Sequence, residues 1–441
     1  MCRTRPLEAV VTTDVEFIPA TSENKPEHSA IEVSSKAFWA QTSEQRDETF
    51  ARLRAEDPVS WQRPVEEAVA PDPNDPGYWA VTKHADIVTV SRDNRTFING
   101  QGVLFDMLPA DFLEMSQSFM AMDAPRQPLL RKLVSSAFTP RRIATIEDQI
   151  KTAAREVVDG FASDPAGEID FVDRCAERLP VRMFGDMFGV PEEMRSQTAT
   201  SAGDVVAWAD PERIGDRHPA EVGLAACQTL HGIAAELIAE RRKKPADDLF
   251  TSLVEAEVDG QKLTDGEIGA FFVLLSVAAT DTTKHTSSFT VRAFTDFRDQ
   301  QRWLMEDYDG RISTAIEEFV RYASPVMTFR RTATRETELA GKKIIPGDKV
   351  VMFYPSGNRD ADVFEAPDRF DLSRDPNPHV GFGGGGAHFC LGNQLAKSML
   401  RALFHELLTR IPEFEAGEPE LLGTNFMRGV KRMPFRFTPE K

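Results

Sequence analysis

The sequence predicts a mostly α protein with a minor β-sheet region. Three observations carry this. Stretches with apolar residues at helical spacing run over 141–161, 221–244, 264–298, 311–322 and 391–410. Short β-branched runs, as in the segment after Gly77 and in KVVMFY, lie among turn-rich and proline-rich segments. No internal repeat and no linker divides the chain, so residues 36–441 are expected as a single domain.

Taken in order, residues 1–35 are polar and lack helical periodicity, and they are expected to be an extension without fixed structure. From Phe38 the segment FWAQTSEQRDETFARLRAE has helical spacing and stops at Asp57-Pro58. The proportions of the 441 residues, 41% hydrophobic and 28% charged, are those of an ordinary globular protein and exclude a disordered or fibrous chain. With 52 Lys+Arg against 70 Asp+Glu, the net charge of −18 excludes a general nucleic-acid binder, which needs surplus cations. Cys2, Cys175, Cys227 and Cys390 are scattered with no CxxC pair, which fits a reducing cytoplasm rather than a disulfide scaffold. No run approaches the roughly 18 apolar residues of a membrane span. Neither a signal peptide nor a transmembrane anchor is expected.

The helix from Thr264 has a visible start. Thr264-Asp265-Gly266-Glu267 forms a capping box. Its first half, FFVLLSVAA, is apolar all round and must be buried. Thr280-Asp281-Thr282-Thr283 follows. An acid and three hydroxyls inside a buried helix are costly unless they have partners or a task. Hydroxyls bonding back to the preceding turn would satisfy a purely structural kink.

The most informative segment is Gly381-Phe382-Gly383-Gly384-Gly385-Gly386-Ala387-His388-Phe389-Cys390-Leu391-Gly392. Successive glycines let a backbone adopt conformations closed to other residues and approach a ligand closely. Cys390 is expected to open the next helix, where backbone N–H groups favour a thiolate. A thiolate on such a loop is a good soft ligand for iron. On these residues the chain resembles the cytochrome P-450 family of haem-thiolate monooxygenases. The family's loop has a Phe, a glycine-rich turn, a basic residue two before Cys, and Cys-x-Gly; here these are Phe382, His388, Cys390 and Gly392. Phe382 stands eight residues before the cysteine, where the common pattern has seven. The form FGGGGAHFCLG is similar to loops of actinobacterial members that hydroxylate branched lipids and sterols.

Further motifs agree in the family's order. Ala278-Ala279-Thr280-Asp281-Thr282-Thr283 resembles its acid–alcohol motif, with Ala279 where Gly is usual. The resemblance assigns proton delivery to Asp281 and Thr282. Glu318-Phe319-Val320-Arg321 matches the Glu-x-x-Arg helix, and Pro367-Asp368-Arg369-Phe370 the segment whose arginine completes that buried network. Gln127 and Arg131 lie on one helix face after Met122-Asp123-Ala124-Pro125; with Arg331 and His388 they are the implied propionate partners.

The resemblance covers residues 38–441 and implies a triangular helical prism. Haem b lies between the long central helix and the cysteine loop. The implied reaction inserts one oxygen atom of O2 into a C–H bond of an apolar substrate of lipid, sterol or terpenoid type. Val103, Leu104, Leu275, Ala278, Val326, Met327 and Phe426 are the implied pocket residues. No GxGxxG or GxxxxGK[ST] motif is present, so flavin and nicotinamide are expected on partners, a ferredoxin and its reductase. Arg126, Lys132, Arg141, Arg142, Lys397 and Arg401 are the cations placed toward that donor. The chain is expected as a monomer. The alternatives are a peroxide-dependent haem-thiolate enzyme and a non-catalytic haem-binding sensor.

Overall fold

The computed structural model describes residues 17–66, 68–106, 108, 112, 115, 116, 118–207, 210–258 and 260–440. Residues 1–16 of the expected extension lie outside the described residues. Residues 17–35 do not behave as an extension. Ile31 and Val33 are buried with Phe38, Trp39 and Phe50, Lys25 pairs with buried Asp348, and the Ser29 N–H donates to the Trp61 carbonyl. The segment is short of apolar residues, so its burial rests on a few side chains and on hydrogen bonds that periodicity does not register.

The main sheet runs Val59–Gln62, Tyr78–Val81, Lys349–Phe353, Thr328–Ala333, Phe97–Ile98. All pairs are antiparallel except the parallel pairing of Tyr78–Val81 with Lys349–Phe353. Its residues are buried on both faces, which is why these strands read as apolar runs rather than alternations. Within Thr328–Ala333, alternation sends Arg330 and Arg331 to opposite faces.

Helices carry the rest. The longest, Asp265–Asp296, spans about 48 Å at 1.5 Å per residue. Its capping box is formed: the Thr264 hydroxyl accepts from the Glu267 N–H at 3.2 Å, and the Glu267 carboxylate accepts from the Thr264 N–H at 2.8 Å. It packs against Arg178–Phe188, Pro219–Lys243 and Tyr308–Ala323. Its hydroxyls bond back to the turn before: Thr280 donates to the Ser276 carbonyl at 2.7 Å, Thr282 to Ala278 at 2.9 Å and Thr286 to Thr282 at 2.8 Å. The expected stretch 141–161 divides at Ile146 into Pro140–Thr145 and Glu147–Asp159. Among the described residues, Pro219–Lys243 is long and apolar enough to cross a membrane, but Val222, Ala226, Leu230, Ile233 and Leu237 place one face in the core.

Candidate functional site

The cysteine loop owes its shape to its glycines. Gly383, Gly385 and Gly386 have φ of 94°, 96° and 79°, a region side chains avoid. The loop also lies directly on the helix His84–Arg92. A Cβ on Gly384 would stand 2.6 Å from the Ser91 hydroxyl, and one on Gly386 2.5 Å from the Ser91 carbonyl oxygen. The Cys390 N–H donates to the Phe382 carbonyl at 3.0 Å, closing the turn. The following helix begins at Asn393 rather than at Leu391, and the Asn393 amide donates to the Cys390 carbonyl at 2.8 Å.

The helix start does not leave Cys390 with a lowered pKa. Burial pushes its thiol up; the Gly392 N–H and the cations of Arg131 and Lys397 offset this only in part. A soft metal ion in the proton's place removes that conflict. Cys175 and Cys227 are free and buried in apolar surroundings, which pushes the Cys227 thiol up to about 12.

Above the loop is a cavity offering about 230 Å³ to a water-sized sphere. Its floor is Phe382–Gly385 and His388–Gly392, and its roof is Leu274, Leu275, Ala278, Ala279, Thr282 and Thr286 of the long helix. Ala278 is exposed in mid-helix because it faces this space. Arg131 and Arg331 converge on the cavity, and neither forms an ion pair with a carboxylate among the described residues. Arg331 is 4% exposed, and burial lowers its pKa. A buried guanidinium without an anion fits a ligand that brings carboxylates. Gly392 lines the cavity, and a Cβ there would meet no protein atom. The donor set therefore fits a planar iron macrocycle with acidic side arms. His388 is neutral here: burial and the Arg331 and Arg131 cations lower its pKa to about 3, so it offers a hydrogen bond rather than a charge.

Several expected residues stand elsewhere. Gln127 is not in the cavity wall; it is buried behind the loop, and its amide donates to the Ala387 carbonyl at 3.0 Å. Arg131 does both, donating to the Phe389 carbonyl at 2.6 Å. Of the expected pocket residues, Val103, Leu275, Ala278 and Val326 line the cavity. Leu104, Met327 and Phe426 do not: Met327 faces the cluster around Phe38 and Trp39, and Phe426 stands behind Phe329, ring centroids 5.6 Å apart. Val326 and Met327 lie in the extended segment before the strand Thr328–Ala333 and face different surroundings. The individual aromatic walls Phe119, Phe184, Phe188 and Phe329 were not legible; the one signal was the i, i+4 spacing of Phe184 and Phe188.

Thr282 faces the cavity, but Asp281 does not. One residue before Thr282, the helix turns it into a second, polar cavity with Glu177, Arg213, Lys284 and His285. There Asp281 pairs with Lys284, and its second carboxylate oxygen has no partner. Lys284 and His285 outweigh burial and hold its pKa below the usual carboxylate range.

Behind the cysteine loop, Glu318 and Arg321 form a bidentate pair, both contacts 2.7 Å and both side chains fully buried. Glu318 also accepts from the Asp371 N–H at 2.9 Å and the Asn377 amide at 3.0 Å. The second guanidinium on Glu318 is that of Arg374, at 3.3 Å, not that of Arg369. Arg369 gives the network only its carbonyl, which accepts from Arg321 at 3.0 Å. Its side chain is 57% exposed beside Asp299, because its neighbour Phe370 occupies the core.

This geometry defines a haem-thiolate protein. The chain matches the Cytochrome P-450 family model over residues 79–416, and it belongs to that family. It is 38% identical to a methyl-branched lipid omega-hydroxylase of Mycobacterium tuberculosis over 92% of this chain and 94% of that one. It is 37% identical to a steroid C26-monooxygenase of Rhodococcus jostii over 87% and 80%. A Mycobacterium marinum cytochrome P-450 solved in complex with pseudoionone superposes with a TM-score of 0.92 at 54% identity, covering 94% of this chain and all of that one. The protein is a monooxygenase of mostly helical fold with haem b as cofactor, and it acts on apolar substrates.

Proposed function

We propose that this monooxygenase hydroxylates a lipid, sterol or terpenoid, with electrons from a small acidic ferredoxin and its reductase. The carrying observation is the apolar cavity over Cys390, walled by Val103, Phe119, Phe184, Phe188, Leu275 and Val326. The relatives named for a methyl-branched lipid and a steroid support the same class. When bound, haem supplies the activation of O2 for insertion into a C–H bond. Cys390 would hold its iron, Arg131, Arg331 and His388 would be its propionate partners, and Phe382 and Gly392 would form the floor of its site. Gln127 acts through the loop carbonyl it holds. The apolar walls exclude bulk water and orient the substrate. A spectral titration with a panel of branched fatty acids, sterols and terpenoids tests the substrate class. A shift in the haem absorption band on binding is expected for at least one member, and silence across the panel counts against the reading.

Thr282 and Asp281 are assigned to proton delivery from two different faces of one helix, each lining its own cavity. The Thr282 hydroxyl orders water in the apolar cavity. Asp281 takes protons from the polar cavity and must leave Lys284 to pass them on. Thr282→Ala is expected to keep substrate affinity while diverting reducing equivalents to peroxide, so product formed per NAD(P)H falls severalfold. Unchanged coupling counts against the assignment. The same measurement separates this reading from a peroxide-dependent enzyme or a sensor, neither of which turns over steadily with NAD(P)H.

For the donor, the exposed cations Lys132, Arg141 and Arg142 are the better candidates. Arg126 is paired with Glu267 and Lys397 with Glu317, while Arg401 donates to the Ser313 hydroxyl at 2.8 Å. Arg131 ties the helix carrying Lys132 to the cysteine loop, and Pro140–Thr145 packs on the helix after it. Charge reversal at Arg141 and Arg142 is expected to slow ferredoxin-supported reduction about tenfold at low salt and less at high salt, because screening weakens steering. A salt-independent, unchanged rate places docking elsewhere.

A further inference from the structure

Lys397 has a different environment from the other cations near the cysteine loop. It rises from the helix Asn393–Arg410, pairs with Glu317 of the helix Tyr308–Ala323, and its ammonium stands 5.3 Å from the centre of the Phe382 ring. Phe382 is part of the cavity floor, and its carbonyl accepts the Cys390 N–H. The cation is therefore held over an aromatic ring whose residue is hydrogen-bonded through its backbone to the ligand residue. Attraction to the ring face and the ion pair both fix it there.

The third member of the cluster is His379, with a side chain 4% exposed. Its Nδ1 accepts from the Gly381 N–H at 3.1 Å, so Nε2 carries the proton that Glu317 accepts at 3.0 Å. In this neutral tautomer His379 adds no charge; it anchors Glu317 and the start of the loop together. The cluster thus holds one cation, one anion and a fixed arrangement of the two. The cation stands over the Phe382 ring, and the His379 ring packs against the same ring with centroids 5.6 Å apart.

We propose that Lys397, positioned by Glu317 and His379, sets the reduction potential of the haem by placing a fixed positive charge behind the Phe382–Cys390 turn. The proposal rests on Cys390 being the residue that holds the haem iron. Adding one electron to the haem makes the site more negative, so a nearby cation favours the reduced form and an anion opposes it. Partial burial of both side chains, 25% exposed for Lys397 and 30% for Glu317, protects the effect from screening by salt. Lys397 is a positioning residue for the electron, not a group that touches substrate.

The test is a spectroelectrochemical titration of haem-loaded protein, with one electron per haem from dithionite through small mediator dyes and no ferredoxin present. Lys397→Gln is expected to lower the ferrous-to-ferric ratio at a fixed potential about tenfold, roughly 59 mV for a one-electron couple. Glu317→Gln is expected to move it the opposite way. Lys397→Arg, which keeps the charge, should stay within about twofold of wild type. Opposite signs from the two neutralisations are what a purely structural role does not produce. Shifts of the same sign, no shift for Lys397→Gln, or haem loss in Lys397→Gln but not in Lys397→Arg would overturn the proposal. The carbon monoxide difference spectrum is recorded alongside. A wild-type protein without the thiolate band overturns the ligand assignment itself, independently of Lys397.

Discussion

Replacing Cys390 by His is expected to abolish the long-wavelength carbon monoxide band of thiolate-ligated ferrous haem. Imidazole is a neutral ligand and cannot push electron density as a thiolate does. The loop fixes the backbone of residue 390: its N–H is committed to the Phe382 carbonyl, and its own carbonyl to the Asn393 amide. Absorbance difference spectra of the reduced, carbon monoxide-treated protein decide it, and survival of the band refutes the assignment. Cys175 and Cys227 provide the control. Both are fully buried in apolar packing, and Ser or Ala at either should leave the band in place while costing some stability.

Glu318→Ala is expected to leave little folded, haem-loaded protein. The substitution strands Arg321, a fully buried guanidinium, with only the carbonyls of Asn358, Pro367 and Arg369 as acceptors. Breaking one side of a buried pair costs about 3–5 kcal/mol, and that is a large share of a typical domain's stability. The network also separates two arginines that look alike in sequence. Arg374→Ala removes a mostly buried partner of Glu318 and should lower the melting temperature clearly. Arg369→Ala removes a surface side chain 3.5 Å from Asp299, and exposed pairs of this kind are worth about 0–1 kcal/mol. Thermal unfolding followed by haem absorbance ranks the three; equal losses at Arg369 and Arg374 would contradict the geometry.

The site was legible in proportion to how local its physics is. The glycine run, Cys390 and the Thr264 capping box are each written within a dozen residues, and the backbone follows from them directly. Glu318 and Arg321 sit three apart on one helix, so their pairing also follows from spacing. Arg369 and Arg374 were not separable this way, because which of two nearby arginines turns inward depends on Phe370 finding the core. The pocket residues Met327 and Phe426 were misplaced for a similar reason. Both lie outside the regular strands, where the sequence carries no alternation to say which side chain meets the cavity.

What the sequence determined by itself is the family, the haem-thiolate chemistry and the order of the elements that carry it. These depend on short motifs whose residue types are dictated by conformation or by ligand chemistry. The tertiary structure alone decided where the charges go. It gave Asp281 and Thr282 different cavities to face, paired Lys397 with Glu317 over Phe382, and packed Ile31 and Val33 into the cluster with Phe38 and Phe353. A charge in a sequence has no preferred partner until distant segments meet. Its energy falls with distance and depends on burial, and both are properties of the folded chain.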